Sequence, residues 1–157
     1  MAKSTVVGAD SWISTIEGLA AHSDAAASRA VYGGANTIAN GIREAIKNLP
    51  TQTSDGHRRR GVTDEERQGL LDGLGVAQHR RAGGVVDTKI GMDGYNSYRT
   101  AKYPNGHPNS LVARSIESGT SWLQKTPFIA PTVRRLKAST VEAMQAELDE
   151  FIRQETR

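Results

Sequence analysis

Cysteine is absent from the 157-residue chain, which excludes disulfides, thiolate metal sites and cysteine nucleophiles together. Aromatic residues are scarce at 5% and hydrophobic residues make up 37%, below the ~45% usual for globular proteins. Such a composition predicts a modest, aliphatic and alanine-rich core, shared with partners or exposed loops. No apolar run approaches the ~20 residues of a membrane span, and the amino terminus MAKSTVVGADSW lacks a signal peptide's apolar centre. No membrane contact is expected, and the protein is expected to be made and used in the cytoplasm. Charge of one sign is also missing: the formal net charge is +3. Basic residues face acidic ones four against four in the first third, nine against seven in the second and seven against six in the last. Nucleic-acid binders usually gather a basic stripe on one face, so a pI near 9.4 hints only faintly at DNA.

The common catalytic signatures are missing as well. There is no GxSxG elbow, no GxxxxGK[ST] phosphate loop and no HExxH pair. The histidines at 22, 57, 79 and 107 have no second histidine at ligand spacing, and His57 and His79 sit in basic runs that would repel a cation. No metal, cofactor or enzymatic activity is expected. The adjacent carboxylates Asp64, Glu65 and Glu66 are explained by the preference of a helix's first turn for negative charge.

A length of 157 residues fits one domain. Residues 3–7 could form a short strand, and Asp10 could cap a short helix carrying Trp12, Ile13, Ile16 and Leu19. Val31, Ala35, Ile38, Ile42, Ala45, Ile46 and Leu49 recur at three- and four-residue steps and predict a second helix from about Asp24 to Leu49, closed by Pro50. Gly33, Gly34 and Gly41 inside it each cost about 1 kcal/mol relative to alanine, which argues for close packing of another element. Residues 51–61 contain no apolar side chain and predict a mobile loop. Thr63 and Glu66 fit a capping box for a short helix ending at Gly73 or Gly75. A β-hairpin is predicted from about Gly75 to Met92, turning on Gly83 and Gly84. The loop from Asp93 to Asn109 is long enough to suggest function, and its composition predicts that it orders only on assembly. Asn109 can cap a short helix ended by Gly119. Pro131 suits the first turn of a last helix with Val133, Leu136, Val141, Met144, Leu148, Phe151 and Ile152 on one side. The predicted fold is α+β: amino-terminal helices and a long carboxyl-terminal helix on a small antiparallel sheet around a central hairpin.

Arg58, Arg59 and Arg60 in the loop, and Arg80 and Arg81 in the hairpin, are candidate contacts to DNA phosphate or a partner. Tyr95, Tyr98 and Tyr103 are available for stacking. No recognition-helix or RNA-binding-sheet pattern accompanies them, so contact with DNA would be unspecific.

Ala113, Glu117, Gly119, Thr120, Pro127, Phe128 and Pro131 form an ordered pattern between the hairpin and the last helix. It resembles the motif of bacteriophage neck proteins of the tail-completion or head-tail joining family, typified by gene product ten of the siphophage HK ninety-seven. Members of that family carry an alanine, an acidic residue with Gly-Thr, a short gap, then Pro-Phe and a proline opening the last helix. They often place a tyrosine before the alanine, where this chain has Val112, and bring the acidic residue closer to Gly-Thr, where this chain has Ser118. The order of elements upstream is similar too, so the resemblance spans the chain.

The physical reading of this segment is structural: Gly119 ends one helix and the two prolines fix the chain around a Phe128 expected to be buried, with Arg114 a candidate donor for Glu117. The resemblance implies a non-catalytic virion subunit that forms a ring in the neck, assembled in the host cytoplasm, with six copies the natural number and twelve possible. Its partners would be head-side connector or head-closure proteins, the tail terminator or tail tube, and duplex DNA passing through the lumen. The alternatives are a tail terminator or head-closure protein and, in a different class, a small DNA-binding regulator.

Overall fold

A computed structural model describes residues 9–54 and 58–155. The element order is α1 (Ala9–Lys47), β1 (Thr53–Ser54), β2 (Arg59–Arg60), α2 (Asp64–Gly73), β3 (Leu74–Val76), β4 (Arg80–Ala82), β5 (Val85–Asp87), β6 (Ile90–Met92), α3 (Asn109–Ser118) and α4 (Ile129–Glu155). The fold is α+β, with long first and last helices packed together and small antiparallel two-stranded sheets beside them. The candidate strand at 3–7 lies outside the described residues.

The two predicted amino-terminal helices are one continuous helix of 39 residues, roughly 58 Å long at 1.5 Å per residue. The intervening AAHSDAAAS holds neither glycine nor proline and is half or more alanine, so nothing stops propagation. Asp10 therefore lies inside the helix. The expected stripe faces the core: Ala35, Ile42, Ile46 and Leu49 are buried, and Ile38 and Ala45 pack against them.

α4 runs antiparallel to α1, with Gly41 beside Leu136, Gly34 beside Met144 and Gly33 beside Glu147. A Cβ on Gly41 would stand 2.1 Å from Leu136 Cδ1, and one on Gly34 2.7 Å from Met144 Cγ. The helical glycines serve close packing, as their cost in the sequence implied. The apolar stripe expected along α4 is only partly covered, which corrects that expectation. Phe151 is buried, but Val133, Val141, Leu148 and Ile152 remain 40%, 56%, 37% and 47% exposed. The apolar positions span a wider arc than one neighbouring helix can cover.

The remaining elements build a head around the carboxyl-terminal part of α1. Its core joins Ile42, Ile46, Leu49, Val62, Leu70, Leu74, Val112, Ala113, Ile116, Leu123 and Phe128. The capping box at α2 is present: the Thr63 hydroxyl accepts from the Glu66 amide and the Glu66 carboxylate from the Thr63 amide. The hairpin forms in two pieces, Leu74–Val76 with Ile90–Met92 and Arg80–Ala82 with Val85–Asp87, turning on Gly83 and Gly84 at φ 59° and 77°. Between the pieces, the His79 amide donates to the Tyr32 hydroxyl of α1.

In two loops the described residues, which leave out 55–57, are tied down more than their composition suggested. The segment expected to be a mobile loop at 51–61 is pinned at both ends: Thr53–Ser54 pair with Arg59–Arg60, the Arg59 amide donates to Trp122 O, and Arg59 O accepts from the Gln124 amide. Backbone pairing takes the place of the apolar contacts that the segment lacks. The segment at 93–109, expected to order only on assembly, folds around buried Asn96, whose Oδ1 accepts from the amides of Tyr98 and His107. Asn109 does not cap α3: Pro108 occupies that position, and the buried Asn109 side chain donates to Asp93 O instead.

Candidate functional site

The joint between α3 and α4 contains the whole sequence pattern. Ala113 is buried in the core, Gly119 ends α3 at a φ of 75°, and the Thr120 hydroxyl accepts from the Leu123 amide. Phe128 is 4% exposed, while Pro127 is exposed. The partner of Glu117 is not Arg114. Its carboxylate accepts from the amides of Phe128, Ile129 and Ala130 at 2.8, 2.9 and 2.9 Å. These are amides that the start of a helix leaves without intrahelical acceptors, and Pro131, the next residue, has no amide hydrogen to satisfy. Burial pushes the Glu117 carboxyl up, but the three amides and the charge of Lys125 outweigh it, so its pKa is lowered. The positive end of the α4 dipole favours the same ionised state.

Beside this joint lies a cleft of about 370 Å³ between β2, α2, α3, the 93–109 segment and the turn after α3. Its floor is the ion pair of Arg59 with Glu66, 2.8 Å apart, the two side chains 17% and 4% exposed. The local fold puts them there. Glu66 is fixed at the third position of α2 by the capping box, with one oxygen on the Thr63 amide and the other on Arg59. Strand pairing then turns Arg59 inward. The Arg59 guanidinium also lies 5.2 Å from the Trp122 ring centroid, an attractive cation–π arrangement. Tyr103, His107, Leu111 and Lys102 complete the walls. The His107 ring is held between Tyr103 and Tyr98, at 4.6 and 5.4 Å between centroids.

The candidate contact residues are thus divided. Arg59 and Tyr103 meet in the cleft, with Tyr98 behind His107, but Arg59 is committed to Glu66 and is not a free phosphate contact. That is a correction, and its cause is the buried carboxylate, which requires a cation. Arg58 and Arg60 flank it and are exposed. Arg80 pairs with Asp87 across the hairpin at 3.1 Å, and Arg81 pairs with Asp24 and Ser28 of α1, away from the cleft. Tyr95 is 63% exposed and bridges to Pro108. The sequence did not single out Trp122, which is 51% exposed. The available signal was a tryptophan, one of only two, set in a polar turn beginning Gly-Thr-Ser.

Among the described residues no group of three or more His, Asp or Glu side chains could hold a metal ion, and no helix is long and apolar enough to cross a membrane. Comparison with protein-family models, curated proteins and solved structures found no match of the chain to any of them.

Proposed function

We propose that this chain is a structural, non-catalytic subunit of the neck of a long-tailed bacteriophage, of the tail-completion or head-tail joining type. In this reading it forms a ring on the phage axis, joins the DNA-filled head to the tail and lets duplex DNA pass. What carries the reading is the motif from Ala113 to Pro131, which resembles that family and has a connected physical role here. Glu117, Gly119, Phe128 and Pro131 together make one capped joint between α3 and α4, so their spacing is constrained and not incidental.

The disposition of charge suits a conduit. Six equal copies touching in a ring enclose a hole about one subunit wide, enough for a duplex, and the 39-residue α1, roughly 58 Å long, makes this subunit longer than a compact domain of its length. Strong attraction to phosphate would retard passage. The ion pairs of Arg59, Arg80 and Arg81 leave the basic runs far less free positive charge than the sequence suggests.

Electron microscopy of particles made without this chain tests the proposal. DNA-packed heads and separate, unjoined tails are the expected result, and normal infectious particles would refute it. Tight binding of duplex by the purified chain at physiological salt would favour the DNA-binding regulator instead.

A further inference from the structure

We infer that the cleft receives the acidic end of α4 from a second copy of this chain, so that copies associate head to tail. The inference rests on the ring reading only for the expectation that copies associate. The surfaces themselves come from the geometry.

The donor surface is the carboxyl-terminal half of α4. Val141, Leu148 and Ile152 stand at i, i+7 and i+11, one stripe of a helix, and all three are exposed. Glu142 and Asp149, each one residue further on, edge that stripe and are exposed as well. From Glu142 to Glu155 the helix carries five carboxylates, of which Glu147, Glu150 and Glu155 are engaged by Arg29, Arg153 and His22, so that Glu142 and Asp149 are the ones that edge the stripe. Its amino-terminal half is opposite in sign, with Arg134, Arg135 and Lys137 and no acidic residue before Glu142. The helix dipole does not ask for this order, since it favours acidic residues near the start and basic ones near the end.

The acceptor surface is the cleft. Its mouth presents Trp122 and Leu111, 51% and 39% exposed, with Lys102 on the wall. Residues 97–126 carry the exposed cations Arg99, Lys102, Arg114 and Lys125 against the one carboxylate of Glu117, which the α4 amides already engage. Arg114 stands three residues from Leu111 on α3, on neighbouring positions of one helix face. Each surface therefore has an apolar centre, and the cations of the 97–126 side of the cleft are opposite in sign to the carboxylates that edge the α4 stripe, whereas the α2 side of the cleft carries exposed Asp64 and Glu65.

Within one copy the two surfaces are separate, because the acidic half of α4 packs along α1, with Glu155 on His22 and Glu147 on Arg29. A contact between two different surfaces of the same chain is heterologous, and it closes into a ring or propagates. A pairing of α4 with α4 would instead be self-complementary and stop at two.

The test uses the purified full chain with Trp12→Phe, leaving Trp122 as the single tryptophan reporter. Sedimentation velocity at ~0.05 M salt should show species larger than dimers that dissociate at ~0.5 M, where screening shortens to a few ångströms. Trp122 emission should shift to the blue on association. Glu142→Lys with Asp149→Lys, and Lys102→Glu with Arg114→Glu, should each abolish association. An equimolar mixture of the two variants should restore it, since each reversed surface then meets its complement. A chain that stays monomeric at every concentration, association that survives both reversals, or a species that stops at a dimer would each overturn the inference. A monomeric chain whose loss still leaves heads and tails unjoined would sink this inference and spare the neck assignment. Self-association through these surfaces in a chain dispensable for joining would do the reverse.

Discussion

In the head, the least accessible side chains are large: Ile46, Leu70, Ile116 and Leu123 are each 2% exposed or less. Along the paired helices beyond it, the buried positions are mostly Ala26, Ala30, Ala35 and Ala39, with glycines beside them. A buried leucine or isoleucine contributes about 1.5–3 kcal/mol and a single methyl about 0.8 kcal/mol. The head is therefore stabilised by apolar area, whereas the helical arm relies on backbones brought close enough for many small contacts. The arm also leaves larger apolar residues of α4 uncovered. A region stabilised thinly by its own packing, with exposed apolar side chains, is suited to gain stability from a neighbour.

The largest effect should come from the head. Phe128→Ala removes a buried ring from the core and should cost ~3–5 kcal/mol, read as a lower midpoint in denaturant with an unchanged slope. An unaltered midpoint would show that the joint does not anchor the core.

A smaller effect, confined to the arm, is expected of Gly41→Val. The new side chain must displace Leu136 and Thr132, an overpacking cost of ~1–3 kcal/mol. Amide exchange should quicken along α1 and α4 while the head keeps its protection. Uniform loss of protection would mean that head and arm are one cooperative unit, and the contrast drawn between them would fail.

The smallest effect concerns the joint between the two regions and depends on pH. The folded-state pKa of Glu117 is lowered below its ordinary value of 4.5. Its ionised form therefore adds stability above that value, and the contribution is lost as pH falls through the folded pKa. Glu117→Gln should melt below the wild type at neutral pH, by the ~0.5–2 kcal/mol of a lost helix cap. The two melting curves should converge in acid. A gap that persists at low pH would assign the effect to packing and not to the carboxylate.

Much of the fold was legible in the residues because it is local. The capping box of Thr63 and Glu66, the turn at Gly83 and Gly84, the stop at Gly119 and the core stripe of α1 follow from patterns spanning a few residues, and each is present. The candidate site was legible only in part. Tyr103 lines the cleft, but the meaning of the arginine runs depended on what stood opposite them. A buried Glu66 claims Arg59, and Asp24, 57 positions from Arg81 in the chain, claims that arginine.

By itself, the sequence determined the α+β class, the capped start of α2 at Thr63, the stop of α3 at Gly119, and the close approach that Gly33, Gly34 and Gly41 demand, because backbone conformation and side-chain size act where they are encoded. Tertiary structure alone decided which charges are free, which carboxylate caps α4 and which apolar face stays uncovered. Coulomb interactions and burial depend on distance in space, and the balanced charge of each third of the chain conceals the pairing of Arg59 with Glu66 and of Arg81 with Asp24 that only folding brings about.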